Sequence, residues 1–181
     1  MDDAADSLVL LGTEWVAAED VILEFTGWLG LRSKEHRTPV TYLDWTIDSV
    51  PLRSILRLPG GREPDERTRM VKGTEGDSWA TSSLLALLDG YDDDTTDEWV
   101  RYDSGRTAVF YCSQCADLGC PAITARIEFT DSTVRWSDVG YETEFSESPD
   151  FETFDRITLT FDRAHYEATI RALLTRWRRE T

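Results

Sequence analysis

Residues 122–136 read AITARIEFTDSTVRW, and this stretch constrains the fold most. Ile123, Ala125, Ile127 and Phe129 alternate with Thr124, Arg126, Glu128 and Thr130, the period of a β-strand with one buried face. A turn at Asp131–Ser132 returns the chain through Val134 and Trp136, so the segment predicts a β-hairpin. A lone hairpin is marginal in water and must bury its apolar face against further strands or a helix.

The rest of the chain offers both. Leu8 to Leu11 reads as a short buried strand or the entry to one. Val21, Leu23 and Phe25 alternate with Ile22, Glu24 and Thr26, predicting a strand that ends at Gly27. In TYLDWTID, Leu43, Trp45 and Ile47 make one apolar face, and Tyr42, Asp44, Thr46 and Asp48 the other, polar one. Pro51 suits the first position of a short helix carrying Leu52, Ile55 and Leu56, stopped by Pro59, Gly60 and Gly61. Residues 60–78 are polar, charged and rich in glycine, and read as a mobile loop. Thr81 or Ser82 suits the cap of a second short helix, SSLLALLDG, closed by Gly90. Arg106 to Tyr111 reads as a strand, as does RITLTF with Ile157, Leu159 and Phe161 on one face. Asp162 is placed to cap a final helix over about Arg163 to Arg179, in which Tyr166, Ile170, Leu173, Leu174 and Trp177 form one apolar stripe. The expected fold class is α+β: a mainly antiparallel sheet with a C-terminal amphipathic helix and one or two short helices packed on it.

At 181 residues the chain fits a single domain over 1–181, large enough to bury a core without disulfides. Its net charge of −16 is unevenly spread. DGYDDDTTDE, from Asp89 to Glu98, has no base, and Asp138 to Asp155 holds seven acids without a Lys or Arg. Such a surface repels phosphate backbones and anionic membranes, and favours a basic protein partner or solubility alone. The acids placed to contact such a partner are Asp92, Asp93, Asp94, Asp97, Glu142, Glu144 and Glu147. The start, MDDAADSLVLLGTEW, carries acids where an export signal has bases, and three cysteines leave one unpaired; together they point to a reducing cytoplasm.

Those cysteines fall within YCSQCADLGC. Cys112 and Cys115 have the spacing of a zinc knuckle's first pair, and Cys120 supplies a third thiolate. A fourth ligand would have to come from Asp117, His165, His36 or water, so zinc is one reading of the loop. A redox dithiol is another, though Asp117 beside the pair opposes the thiolate. The third is structural: small apolar thiols packed where the chain turns between two strands.

Over the same stretch, YCSQCADLGCPAITARIEFTDSTVRWSDVGYE resembles a family of uncharacterised actinobacterial proteins whose pattern is C-x-x-C-G-D-x-G-C-G-A, a strand and a W-S-D turn. Cys112, Cys115, Asp117, Gly119, Cys120, Ala122, Trp136, Ser137 and Asp138 match it. Ala116 and Pro121 depart, standing where the pattern has Gly. LDWTIDSVPLRSIL is similar to the family's upstream strand-and-proline segment. The resemblance implies a bacterial cytosolic α+β protein and carries no activity.

No GxSxG, HExxH, phosphate-loop or GxGxxG motif occurs, which leans against an enzyme. The expected function is a non-enzymatic acidic binding protein, an immunity- or antitoxin-like inhibitor of a basic partner. The alternative is a small zinc- or thiol-dependent enzyme or redox protein built on Cys112, Cys115 and Cys120. A weaker reading is an acidic mimic of DNA.

Overall fold

The structure is a computed structural model that describes residues 7–26, 32–57, 68–71, 77–91, 100–112, 120, 122–143, 152–153 and 157–179. Among these residues ten strands and three helices follow one another: β1 (Leu8–Val9), β2 (Leu11–Thr26), β3 (Arg32–Ile47), β4 (Val50–Pro51), α1 (Leu52–Ile55), β5 (Thr68–Val71), α2 (Asp77–Ala86), β6 (Thr107–Cys112), β7 (Ala122–Phe129), β8 (Thr133–Glu142), β9 (Glu152–Thr153), β10 (Leu159–Asp162) and α3 (Arg163–Arg179). The fold is α+β and rich in antiparallel sheet.

The strands form one sheet in the order β1-β10-β8-β7-β6-β5-β3-β2. Its two ends, β1 and β2, are separated in sequence by Leu10 alone. Residues 8–26 therefore make one nearly continuous strand that pairs in parallel with β10 through Leu8↔Thr160 and then antiparallel with β3 from Leu11↔Ile47 onward. The sheet returns to its own first strand, as in a barrel. Trp45 of β3 and Trp136 of β8 meet edge to face across the interior, with centroids 6.4 Å apart, although three strands lie between them in the sheet order.

The β7–β8 hairpin forms as its alternation predicts. The Thr130 hydroxyl accepts the Thr133 amide at 2.9 Å and closes the turn. Pairing shifts between Thr124↔Gly140 and Arg126↔Ser137, a bulge at which Asp138 takes φ +50°. A second turn, Asp48–Ser49, joins β3 to β4 with both residues at positive φ, the geometry that suits a two-residue hairpin.

Helix α3 starts where Asp162 predicts: its Oδ1 accepts the His165 amide at 2.8 Å. Tyr166, Ile170, Leu173 and Leu174 are buried, while the side chain of Trp177 lies outside the described part. The Trp136 Nε1–H donates to the Tyr166 hydroxyl at 3.1 Å, and that hydroxyl donates to the Leu87 carbonyl at 2.9 Å. This chain ties sheet, α3 and the end of α2 together inside the core. Phe161 and Tyr166 complete the aromatic cluster around Trp136, with centroids 5.2 and 6.0 Å from it.

Several expectations are corrected. The 60–78 segment read as a loop contains β5, which pairs with both β3 and β6 and completes the sheet. Four residues are too short for a periodic signal, and neighbours on both sides supply what the sequence pattern lacks. Helix α2 begins at Asp77, so Thr81 and Ser82 lie inside it rather than at its cap. Gly90, at φ +79°, ends the turn that follows it. Pro51 is the residue before α1 rather than its first residue. Asp44 and Thr46, assigned to a polar face, are buried. β2 and β3 run 16 residues each, far past the strands their sequences predict.

Two substitutions test this core. Leu173→Ala should cost roughly 2–5 kcal/mol, read from chemical denaturation, because the side chain is 6% exposed and leaves a cavity. Tyr166→Phe should cost about 1–3 kcal/mol by stranding the indole N–H and the Leu87 carbonyl in the core. A neutral result for Tyr166→Phe would mean that water replaces the hydroxyl.

Candidate functional site

Most of the acids expected to meet a partner, Asp92, Asp93, Asp94, Asp97, Glu144 and Glu147, lie outside the described residues. Glu142 is described, and it is 2% exposed. It sits in β8 opposite Ala122 and accepts a hydrogen bond from the Thr124 hydroxyl at 3.0 Å. That burial overturns its assignment as a surface contact: an acid in an acidic stretch reads as solvated, but here the strand turns it onto a covered face. At the ends of the two acidic stretches, Asp89 pairs with Arg163 at 2.9 Å, and Asp138 lies 3.6 to 3.7 Å from Arg126 and Arg106.

Of the proposed metal ligands, Cys112 ends β6 and is buried, and Cys120 is half-buried just before β7. Antiparallel pairing of β6 with β7 brings both to the same end of that hairpin. Cys115 lies outside the described residues. Among the described residues no three His, Cys, Asp or Glu side chains gather where they could hold a metal ion. His165 is turned to the Leu11 carbonyl at 3.0 Å, and His36 to Glu24 at 2.8 Å.

Two features went unread in the sequence. The first is Asp44, 3% exposed on β3. Its face is crowded: Gly12 lies opposite Thr46, and a Cβ at Gly12 would stand 2.5 Å from the Thr46 hydroxyl. Burial pushes the Asp44 carboxyl up to about 6. The nearby Arg53 guanidinium pulls the other way, Glu14 directly across the ladder adds to the rise, and backbone N–H groups of Trp45 and Arg53 donate to the carboxyl. Oδ1 has no hydrogen-bond partner among the described residues. Arg53, from α1, lies over the rings of Phe110 and Tyr42, at 5.3 and 6.0 Å. A carboxyl so desolvated changes charge near neutral pH, a property that marks functional sites as well as structural ones. The signal available in the sequence was the acid's place between Leu43 and Trp45 in a strand bound for the core.

The second feature is the distal half of the β2–β3 ribbon. Sixteen residues extend about 53 Å, whereas the longest of the other strands has ten. Pairing continues without a shift from Leu11↔Ile47 to Thr26↔Arg32. Beyond Trp15 and Tyr42 every described side chain is exposed or half-buried, and Phe25 is 68% exposed. Among the described residues no strand but its own partner lies beside this half, which forms an arm. Arg37 bridges Glu19 and Glu35 on its surface, at 3.2 and 2.6 Å. Such exposed pairs hold little energy and exchange readily.

Comparison with protein-family models, with curated proteins and with solved structures returned no match. No helix among the described residues is long and apolar enough to cross a membrane.

Asp44 makes a pH-dependent prediction. The folded chain holds its proton more tightly, at about 6 against 3.8 for an unburied Asp. Its contribution to stability therefore falls as pH rises from about 4 to 6 and is constant above that. Asp44→Asn should stabilise the protein by roughly 1–3 kcal/mol at pH 7. The gain should shrink as pH is lowered through 5, as measured by denaturation midpoints. A pH-independent difference would show that Asp44 is not the titrating group.

Proposed function

We propose that the protein is a non-enzymatic binding protein that captures a basic protein partner, in the manner of an immunity protein or antitoxin that neutralises a cationic target. The observation behind this reading is the β2–β3 arm. A two-stranded ribbon with no further strand beside it is marginal on its own, so a contact surface is the economical account of an arm this long. Charge selects the partner. β2 carries Glu14, Glu19, Asp20 and Glu24 and no base, within a chain of net charge −16. Asp92, Asp93, Asp94, Asp97, Glu144 and Glu147 add to the same negative field, which speeds encounter with a cation and suppresses binding to nucleic acid. An odd number of thiols suits a cytoplasmic setting.

The test is a capture experiment with the full chain and with a variant in which residues 17–41 are replaced by an Asn-Gly turn joining Val16 to Tyr42. Those two residues already face each other in the ladder, so the shortened ribbon should fold with an unchanged melting profile. The full chain should retain a basic protein at about 50 mM salt and lose most of it by about 300 mM, while the shortened chain retains none. An acidic or neutral partner, or equal capture by the shortened chain, would overturn the reading.

A further inference from the structure

The two long edges of the arm are chemically different. Asp48 donates its amide to the Leu10 carbonyl at 3.0 Å, so even-numbered residues of this ladder form the directly hydrogen-bonded pairs. Odd-numbered residues of β2 then turn their N–H and C=O away from β3. The Leu11 carbonyl confirms the parity, since it points outward and is taken by His165 of α3. Near Trp15 the helix still covers β2, with Arg176 over the indole at 5.2 Å. Past that point, β3 is the only strand beside β2 among the described residues. Ala17, Glu19, Val21, Leu23 and Phe25 thus present a continuous row of outward backbone donors and acceptors.

The opposite edge, on β3, is blunted. Pro39 occupies an outward position there, opposite Glu19, and removes a donor from the row without disturbing the pairing with β2. Arg32, Lys34 and Arg37 crowd the same strand with positive charge. Proline and charge are the means by which open edges are kept from adding strands. β2 lacks proline and basic residues.

We propose that the outer edge of β2, from Ala17 to Phe25, is a strand-docking site that takes an extended Lys- and Arg-rich segment of the partner by β-sheet addition. The proposal rests on the binding reading above and names its contact. An added strand would align its side chains laterally with Glu19 and Glu24, where opposite charges stabilise cross-strand neighbours. A second copy fits poorly. Two β2 edges side by side would set acids against acids, and β2 against β3 would meet Pro39.

The probe is a fluorescein-labelled peptide of alternating Lys and Thr, about eight residues long and so spanning about 27 Å of strand. It is compared with a Glu/Thr peptide and with a Lys/Thr peptide N-methylated at alternate residues. Binding to the full chain is read by anisotropy, and hydrogen exchange is followed on the same samples. The Lys/Thr peptide should bind at least about tenfold more tightly than either control, a difference of ~1.4 kcal/mol. It should slow exchange at Ala17, Glu19, Val21, Leu23 and Phe25, and leave the already bonded amides of Val16, Ala18 and Glu24 unchanged. Val21→Pro removes one outward donor and no β3 bond, and should weaken binding by a similar factor. The N-methylated peptide gives the same information should Val21→Pro fail to fold. Equal binding of the N-methylated peptide overturns strand addition, while a surviving preference for Lys over Glu leaves the basic-partner reading standing. No binding by any peptide overturns the docking site; if a dimer that Val21→Pro abolishes is also seen, the edge belongs to a second copy. Failure of the binding reading itself is seen separately, as salt-independent capture or capture by the shortened chain.

Discussion

The structure depends on one stretch of chain being shared by the two ends of the sheet. Residues 8–26 pair first with β10 and then with β3, so among the described residues the sheet closes on its own first strand. Unpaired backbone groups buried away from water are costly, and closure removes them where the core is thickest. It also curls the sheet enough for Trp45 and Trp136 to touch. Everything that packs inside, from Leu11 to Phe161, relies on that curl. Once β2 passes the point where α3 covers it, β3 is the only strand beside it among the described residues, and the closed body becomes an open arm.

Inside the body the polar groups are arranged with unequal care. The Trp136–Tyr166–Leu87 chain satisfies its donors and fixes helix to sheet. Trp45 likewise gives its indole N–H to the Val109 carbonyl at 3.1 Å. Among the described residues Asp44 is left with one oxygen unpartnered and an acid facing it across the ladder. A fold optimised only for stability would place an amide or a hydrophobe there. The retained carboxyl, beside Arg53 and two pairs in from Tyr42 at the base of the arm, gives the protein a charge whose state depends on the surroundings.

The elements readable from sequence are those whose burial has a single period. Helix α3 and the turn-proximal half of the β7–β8 hairpin bury one face, so alternation and the Tyr166–Ile170–Leu173–Leu174 stripe locate them, and Asp162 marks the start of the helix. β6 was legible as a strand, although Thr107 to Cys112 are buried on both faces. Of the arm, only the end of β2 was legible, through the alternation of Val21, Leu23 and Phe25; RSKEHRTPV in β3 follows no apolar period, so the length of the ribbon went unread. β5 was too short to register. The burial of Glu142 escaped because an acid in an acidic stretch carries no local mark of what covers it, whereas Asp44 was marked by its place between Leu43 and Trp45. The closure was invisible because the Leu8↔Thr160 pairing joins opposite ends of the chain.

That last pairing also orders events in time. The β2–β3 and β7–β8 hairpins join neighbours in sequence and can form on the microsecond scale of local structure. The parallel contact of β1 with β10 must wait until nearly the whole chain exists and has met itself, so closure carries the largest loop-entropy cost in the fold. During synthesis, Leu8 and Val9 remain without their strand partner until Leu159–Asp162 leave the ribosome. The N-terminal strand is thus the segment most exposed to wrong partners before folding ends.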